Sequence, residues 1–468
     1  MSVRCCRSCA STGCRPTTST VFSPPSPRPR PPSPNGIAMS HRSRQLRVSS
    51  LARVEGEGAL RVVIDDGVVA RAELNIYEPP RFFEAFLRGR GYTEPPDITA
   101  RICGICPVAY QTSACNALEQ ICGVELDPPL LALRRLLYCG EWISSHALHI
   151  HLLHIPDFLG YPDAITLAAD HRDLVEQGLA LKKAGNALLE LIGGRPIHPI
   201  NVRVGGFYST PGRVDLALLA EQLRRALDYA IHTVQWAAGF DYPDLELDHD
   251  LLAATAPDRY AIENGIVHTS TGLSFPPEEF AAHVVERQVP HSTALHAELD
   301  GRRYLTGPLA RYTLNYEQLS PLAKEMAAQA GLGTVCRNPF RSILVRAVEV
   351  VYAVEEALRI IDDYEMPARP AVPAEARAGI GHGVTEAPRG LLYHRYQVDA
   401  DGIVRAANIV PPTSQNQAAI EDDLRRVVAA NLDLDDAALT ALCERTIRNY
   451  DPCISCSAHF LELEVVGR

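Results

Sequence analysis

Arg101-Ile-Cys-Gly-Ile-Cys-Pro107 decides how this chain is read, and Asp451-Pro-Cys-Ile-Ser-Cys-Ser-Ala-His459 is its counterpart near the other end. Each stretch sets two cysteines, Cys103 with Cys106 and Cys453 with Cys456, on a tight turn, a spacing that lets two sulfurs converge on one metal. A structural zinc ribbon draws its pairs from within about twenty residues, whereas 347 positions separate Cys106 from Cys453. Joining turns that remote requires an interior site where the two ends of the fold meet. Thiolates are soft donors, suited to zinc, copper(I), iron–sulfur clusters or other soft transition-metal centres. Spacing alone leaves three readings open: a buried redox metal, a structural zinc, or a dithiol redox pair.

Outward from these turns, composition narrows the class. The 468 residues carry 45 Lys and Arg against 56 Asp and Glu, a formal net charge of −11, which argues against nucleic acid as a partner. No stretch reaches the roughly 18 to 20 uninterrupted apolar residues that span a bilayer, so the chain reads as soluble. Thirteen cysteines, an odd number without the dense spacing of secreted scaffolds, point to a reducing compartment and to thiols used as ligands.

Residues 1–45 read as a disordered leader. The segment is rich in Pro, Ser and Arg, and the first fifty residues hold no Asp or Glu. Met39 is an alternative start of translation, and the prolines spoil the amphipathic helix of a transit peptide. Cys5, Cys6, Cys9 and Cys14 lack a second pair at zinc-finger spacing. Beyond the leader, Leu60, Val62 and Ile64 alternate up to Asp65-Asp66-Gly67, and Val68 to Ile76 follows, the pattern of a β-hairpin. Arg81 to Leu87 predicts a short helix. Apolar residues recurring at three and four predict long helices over Pro129–His154 and Arg341–Asp363. Further strands are expected at Asn201–Phe207 and Tyr396–Ile403. The fold class is therefore α+β, mainly α-helical, a long-helix core with small peripheral β-sheets.

RxCGxC followed far downstream by DPCxxCxxH resembles the paired signatures of NiFe hydrogenase large subunits. Other segments agree: RVEGEG at 53–58, RFFEAFLRGRG at 81–91, GGRPIHP at 193–199, NPFRSILVRAVEV at 338–350, EAPRG at 386–390 and VPPTSQN at 410–416. The wording RICGICPVAYQ, NPFRSI and DPCISC is most similar to the cytoplasmic, bidirectional, NAD(P)-linked branch, the sulfhydrogenase-like enzymes. The resemblance implies the large-subunit fold and a single catalytic domain over 46–459. It also implies reversible heterolytic cleavage of H2 at a buried nickel–iron centre whose iron carries CO and cyanide.

Residue by residue, the family pattern makes Cys103 and Cys453 terminal nickel ligands and Cys106 and Cys456 the bridging thiolates. Glu55 corresponds to the carboxylate that relays a proton from a nickel-bound cysteine; by itself it reads as an exposed strand-start glutamate. Arg389 resembles the guanidinium over the open coordination position and Asp451 the carboxylate that orients it; alone, they read as an ordinary salt bridge. Pro388 and Thr413 would wall the iron side, with Thr413 donating to a cyanide nitrogen. Glu84 and His459, with a backbone carbonyl near Ala406, resemble the ligands of a Mg2+ ion. Two positions depart from the better-known periplasmic members: Tyr110 stands in place of a histidine, and Ser145 in place of an aspartate. His146, His149, His151 and His154 have no acidic partner at ligand spacing and read as packed core histidines.

Phe460–Arg468 resembles an extension that a maturation protease removes in the family; short and apolar, these residues could instead stay as a strand. The chain has no GxGxxG, no P-loop and no further cluster-binding cysteine set, so neither an Fe–S cluster nor flavin is expected in it. Electrons would leave through an Fe–S small subunit, joined by flavin- and NAD(P)-binding subunits. Two rivals are weighed: the metal-free quinone-module relative in respiratory complex I, which lacks the cysteine quartet, and a zinc-stabilised interaction protein.

Overall fold

The alternation from Leu60 to Ile76 folds as the pattern requires. In the computed structural model, which describes residues 43–458, strands Gly58–Asp65 and Val68–Ile76 pair antiparallel around Asp66 and Gly67. Both turn residues have positive φ, at 50° and 79°, the conformation a two-residue hairpin turn needs. Ser43–Val48 adds to the free edge of Gly58–Asp65. Ser43 to Gln45, assigned above to the leader, are thus strand residues, their backbone groups satisfied by the neighbouring strand. The rest of the leader, Met39, the cysteines at 5 to 14, His459 and the 460–468 extension lie outside the described residues.

Helix Pro107–Cys122 starts directly after Cys106, with Pro107 supplying the φ of a first helical turn, and stops at Gly123 in the left-handed region. The helix expected over 129–154 comprises an α-helix, Pro128–Ala147, that runs without a break into a π-helical turn, Leu148–His154. Helix Ser342–Asp362 is buried on every side from Ser342 to Val354, a largely apolar stretch in which Ser342, Arg346 and Glu349 are buried as well. It packs between Pro128–Ala147 and Arg213–Ala237, and Arg172–Gly193 contacts both of those helices as well.

A three-stranded antiparallel sheet, Gly379–Ala387, Gly390–Val398 and Val404–Val410, covers helix Pro107–Cys122. Of the strand expected over 396–403, Tyr396–Val398 is the end of Gly390–Val398, but Asp399-Ala-Asp-Gly402 is the turn between two of these strands. The Asp399 carboxylate accepts the Asp401 and Ile403 N–H groups there. The strand expected over Asn201–Phe207 is two short strands folded back at Gly205. A four-stranded sheet and a hairpin between Asp250 and Leu305 went unanticipated; these strands are short and separated by irregular chain. No helix among the described residues is long and apolar enough to cross a membrane.

One apolar core takes in Leu60 and Val62 of the first sheet, the long helices, and all four of Cys103, Cys106, Cys453 and Cys456. Two of its helices cross closely at a glycine pair: a Cβ on Gly185 would lie 2.5 Å from Ser144 N and 2.7 Å from Gly140 O. Gly185→Ala is expected to destabilise the protein by roughly 1–3 kcal/mol through overpacking, read as a lower unfolding midpoint; an unchanged midpoint would contradict the close crossing.

Candidate metal centre

Four element ends converge at the cysteines. Cys103 and Cys106 precede helix Pro107–Cys122, and the Cys103 sulfur accepts the Ile105 and Cys106 N–H groups at 3.3 and 3.4 Å. Cys453 stands at the N-cap of the single turn Ile454–Ser457, which follows Asp451 at a φ of 50°, and Cys456 lies within that turn. Glu55 docks that turn: its carbonyl accepts the Ile454 N–H at 3.0 Å, and the two segments form a parallel bridge.

All four sulfurs lie within 4.8 Å of one another, buried and not joined in disulfides. Cys103 Sγ stands 3.3 Å from Cys453 Sγ, and Cys106 Sγ 3.7 Å from Cys456 Sγ. Hydrogen bonds from the other three thiols hold Cys103 well below the ordinary thiol range, while burial pushes Cys453 well above it. One thiolate can therefore be solvated by three thiols, but four thiolates in a dry pocket require cations.

Glu55 is half-buried rather than exposed, and its Oε2 accepts from Cys453 Sγ at 3.2 Å and from Ser455 N at 3.0 Å. Burial, then the Cys103 charge, raises its carboxyl pKa above the usual carboxylate range. Arg389 sits with Pro388 in the turn between Gly379–Ala387 and Gly390–Val398. It donates to Asp451 Oδ1 at 2.9 Å, to Asp451 O at 2.7 Å and to Ser145 Oγ at 3.4 Å. Arg389 and Asp451 are both only 2 % exposed. Thr413, in the first turn of helix Pro412–Ala430, accepts the Cys453 N–H at 3.0 Å. The Tyr110 hydroxyl is fully buried and has no hydrogen-bond partner among the described residues. Burial foremost, then the charges of the four cysteines, raises its pKa.

A soft, buried four-sulfur donor set, with an unpartnered hydroxyl and a guanidinium beside it, fits a transition-metal centre. The model of the family described as nickel-dependent hydrogenase matches residues 81–184 and 296–459. The chain belongs to this family. It is 35 % identical to the alpha subunit of sulfhydrogenase 1 from Pyrococcus furiosus, an alignment covering 89 % of this chain and 98 % of that protein. Identity to the corresponding polypeptide of the F420-non-reducing hydrogenase from Methanothermobacter marburgensis is 29 %, covering 90 % and 96 %. Among solved structures, an NAD+-reducing NiFe hydrogenase in the H2-reduced state superposes with a TM-score of 0.81 at 28 % identity, covering 89 % of this chain and 99 % of that one. The protein is a hydrogenase, an oxidoreductase acting on H2, built on the large-subunit fold.

Several residues that shape the hydrogenase site escaped the sequence reading. Arg81 joins the two cysteine turns, one nitrogen donating both to Ile102 O at 2.8 Å and to Ser455 O. Glu141 accepts the Val108 and Ala109 N–H groups at 2.6 and 3.2 Å. It thereby caps the helix that Cys106 opens, and burial raises its pKa. A lone acid on the buried face of an apolar helix was its available signal. Arg311 holds the carbonyls of Ala387 at 2.6 Å and Pro388 at 3.0 Å, fixing the turn that carries Arg389. It is paired with Glu349 at 3.0 and 2.9 Å and with Glu386 at 3.2 Å, all fully buried. Ser342 and Arg346 hold the Asn449 carbonyl, two residues before Asp451.

The four histidines are buried and take separate contacts. His149 meets Arg448 O at 2.8 Å, His151 meets Thr233 Oγ1 at 3.2 Å, and the His149 and His154 rings lie 5.0 Å apart. Contrary to the expectation of no acidic partner, His146 Nε2 lies 3.0 Å from Glu349 Oε2. Burial still pushes His146 down to about 4. Glu84 accepts from Ile409 N at 2.7 Å and from Asn408 Nδ2 at 3.4 Å, on the strand that also holds Ala406.

Arg311→Met is expected to cost about 3–5 kcal/mol, because it strands buried carboxylates. Arg311→Met combined with Glu349→Leu should recover part of that loss in chemical unfolding. Equal losses for the single and double variants would contradict a coupled pair.

Proposed function

We propose that this chain is the catalytic subunit of a heteromeric, cytoplasmic hydrogenase that cleaves H2 reversibly and exchanges its electrons with NAD(P). The observation that carries the reading is the quartet of buried sulfurs touched on one side by Glu55 and faced by Arg389. When bound, a nickel–iron centre with CO and cyanide on iron supplies the soft metal pair at which H2 is split heterolytically.

Cys103 and Cys453 would be the terminal nickel ligands, and Cys106 and Cys456 the thiolates shared with iron. Glu55 takes a proton at Cys453 Sγ across the 3.2 Å contact, its raised proton affinity suiting transfer in both directions. The Ser455 N–H keeps the carboxylate on that sulfur. Asp451 keeps the Arg389 guanidinium aimed over the site, where its fixed positive charge needs no reorganisation during reaction. Pro388 would wall the iron side and Thr413 would donate its hydroxyl hydrogen to a cyanide nitrogen there, while the buried Tyr110 hydroxyl, unpartnered among the described residues, lies in the field of the four cysteines. Glu84, His459 and the Ala406 carbonyl would hold Mg2+ behind the second cysteine turn, and a maturation protease would remove Phe460–Arg468.

Apart from the quartet, the remaining described cysteines do not gather into a ligand cluster. Electrons are therefore assigned to an Fe–S small subunit, with flavin- and NAD(P)-binding subunits beyond it. The likeness to sulfhydrogenase alpha subunits and to an NAD+-reducing enzyme supports that route.

A Glu55→Gln enzyme is expected to keep its nickel and iron while D2/H2O exchange falls by about 10²–10⁴-fold, the usual contribution of a positioned acid–base group. Exchange at the parent rate would remove Glu55 from the proton path.

A further inference from the structure

His291, His296 and Glu421 stand apart from the cysteine quartet and approach one another from three segments. His291 lies in the loop after strand Val284–Arg287, His296 opens strand His296–Leu299, and Glu421 projects from helix Pro412–Ala430. One ligating atom from each falls within 4.8 Å of the other two. His291 Nε2 is 2.7 Å from Glu421 Oε1, and the two imidazole rings meet edge to face with centroids 5.6 Å apart.

His296 carries the argument. It is only 8 % exposed, yet its Nε2 has no hydrogen-bond partner among the described residues. A buried ring nitrogen left in that state loses its solvation without a replacement partner, a penalty that a bound cation removes. The comparable cluster of His249, Asp422 and Asp423 lacks this feature. Its Asp422 is already bonded by Arg303 at 2.8 Å and by Arg426 at 3.0 Å, and Asp423 by His249 and Tyr450.

We propose that His291, His296 and Glu421 form a second metal site in this protein, taking one Zn2+-class divalent cation with water as the fourth ligand. Two imidazoles and one carboxylate make a borderline donor set that suits zinc, whereas Mg2+ and Ca2+ prefer oxygen throughout. His291 and Glu421 side chains are 22 % and 14 % exposed, which leaves an open edge for entry and for the water. The ligands are also held from behind. Leu74 N donates to Glu421 Oε1 at 2.9 Å, Asn75 Nδ2 to His291 O at 3.2 Å, and Thr293 N to Ile76 O at 2.8 Å. Closing on zinc requires the 2.7 Å pair to open to roughly 3.3 Å, the edge of a tetrahedron with bonds of about 2.0–2.1 Å. The cation would then tie strand Val68–Ile76 and the 288–295 loop to the helix whose first turn presents Thr413 to Cys453.

The purified holoenzyme, treated with a chelator and then equilibrated with Zn2+ or Co2+, tests this by elemental analysis and visible absorption. The wild type is expected to take up one equivalent beyond its nickel and iron, and to give the intense bands of four-coordinate Co2+. His296→Ala should lose that equivalent and those bands with nickel, iron and H2 oxidation unchanged. Glu421→Gln, which keeps the side-chain volume, serves as the second variant should His296→Ala misfold. No extra equivalent in the wild type, or uptake that either variant leaves intact, would overturn the site.

Discussion

Four sulfur atoms brought together in a dry interior set an electrostatic constraint on everything around them. As thiols they can share one negative charge through S–H hydrogen bonds, which is why Cys103 alone is held below its ordinary range. As four thiolates they repel one another, and burial offers no water to screen them. Cations must enter for the pocket to be stable in that form, so the quartet is a site for metal ions by its physics as well as by its spacing.

The fold answers that constraint with ends of elements and with paired charges. Helix starts, a hairpin turn and the short turn Ile454–Ser457 supply the side chains, and Arg81 and Glu55 join segments hundreds of positions apart. Behind Arg389, a layer of buried ions built from Arg311, Glu349 and Glu386 grips the turn backbone. Buried ion pairs of this kind add little net stability but penalise any other arrangement strongly. That makes them suited to holding a guanidinium over a site in one orientation.

The cysteine turns, the first hairpin and two of the four long helices, those over Pro128–His154 and Ser342–Asp362, were legible because each is written in local pattern: two-residue spacing, alternation, or an apolar period of three and four. Glu55 could be singled out only through family likeness, since locally it is one more glutamate at a strand start. Arg311 and Arg81 were invisible for the same reason, their meaning lying in partners far along the chain. The strand expected over 396–403 holds only as far as Val398, because Asp399 and Gly402 form a turn that the apolar residues on either side obscured. Ile403 and Val404 lie on the far side of that turn, where the chain runs into the next strand. The short strands between Asp250 and Leu305 carry too few residues each to display a period.

Nickel-edge X-ray absorption of the anaerobically purified holoenzyme tests the central claim most directly. Two remote cysteine turns closing on one centre predict a first shell dominated by sulfur, with an iron scatterer just beyond it. A shell of nitrogen and oxygen donors, or sulfur without the iron neighbour, would contradict the account.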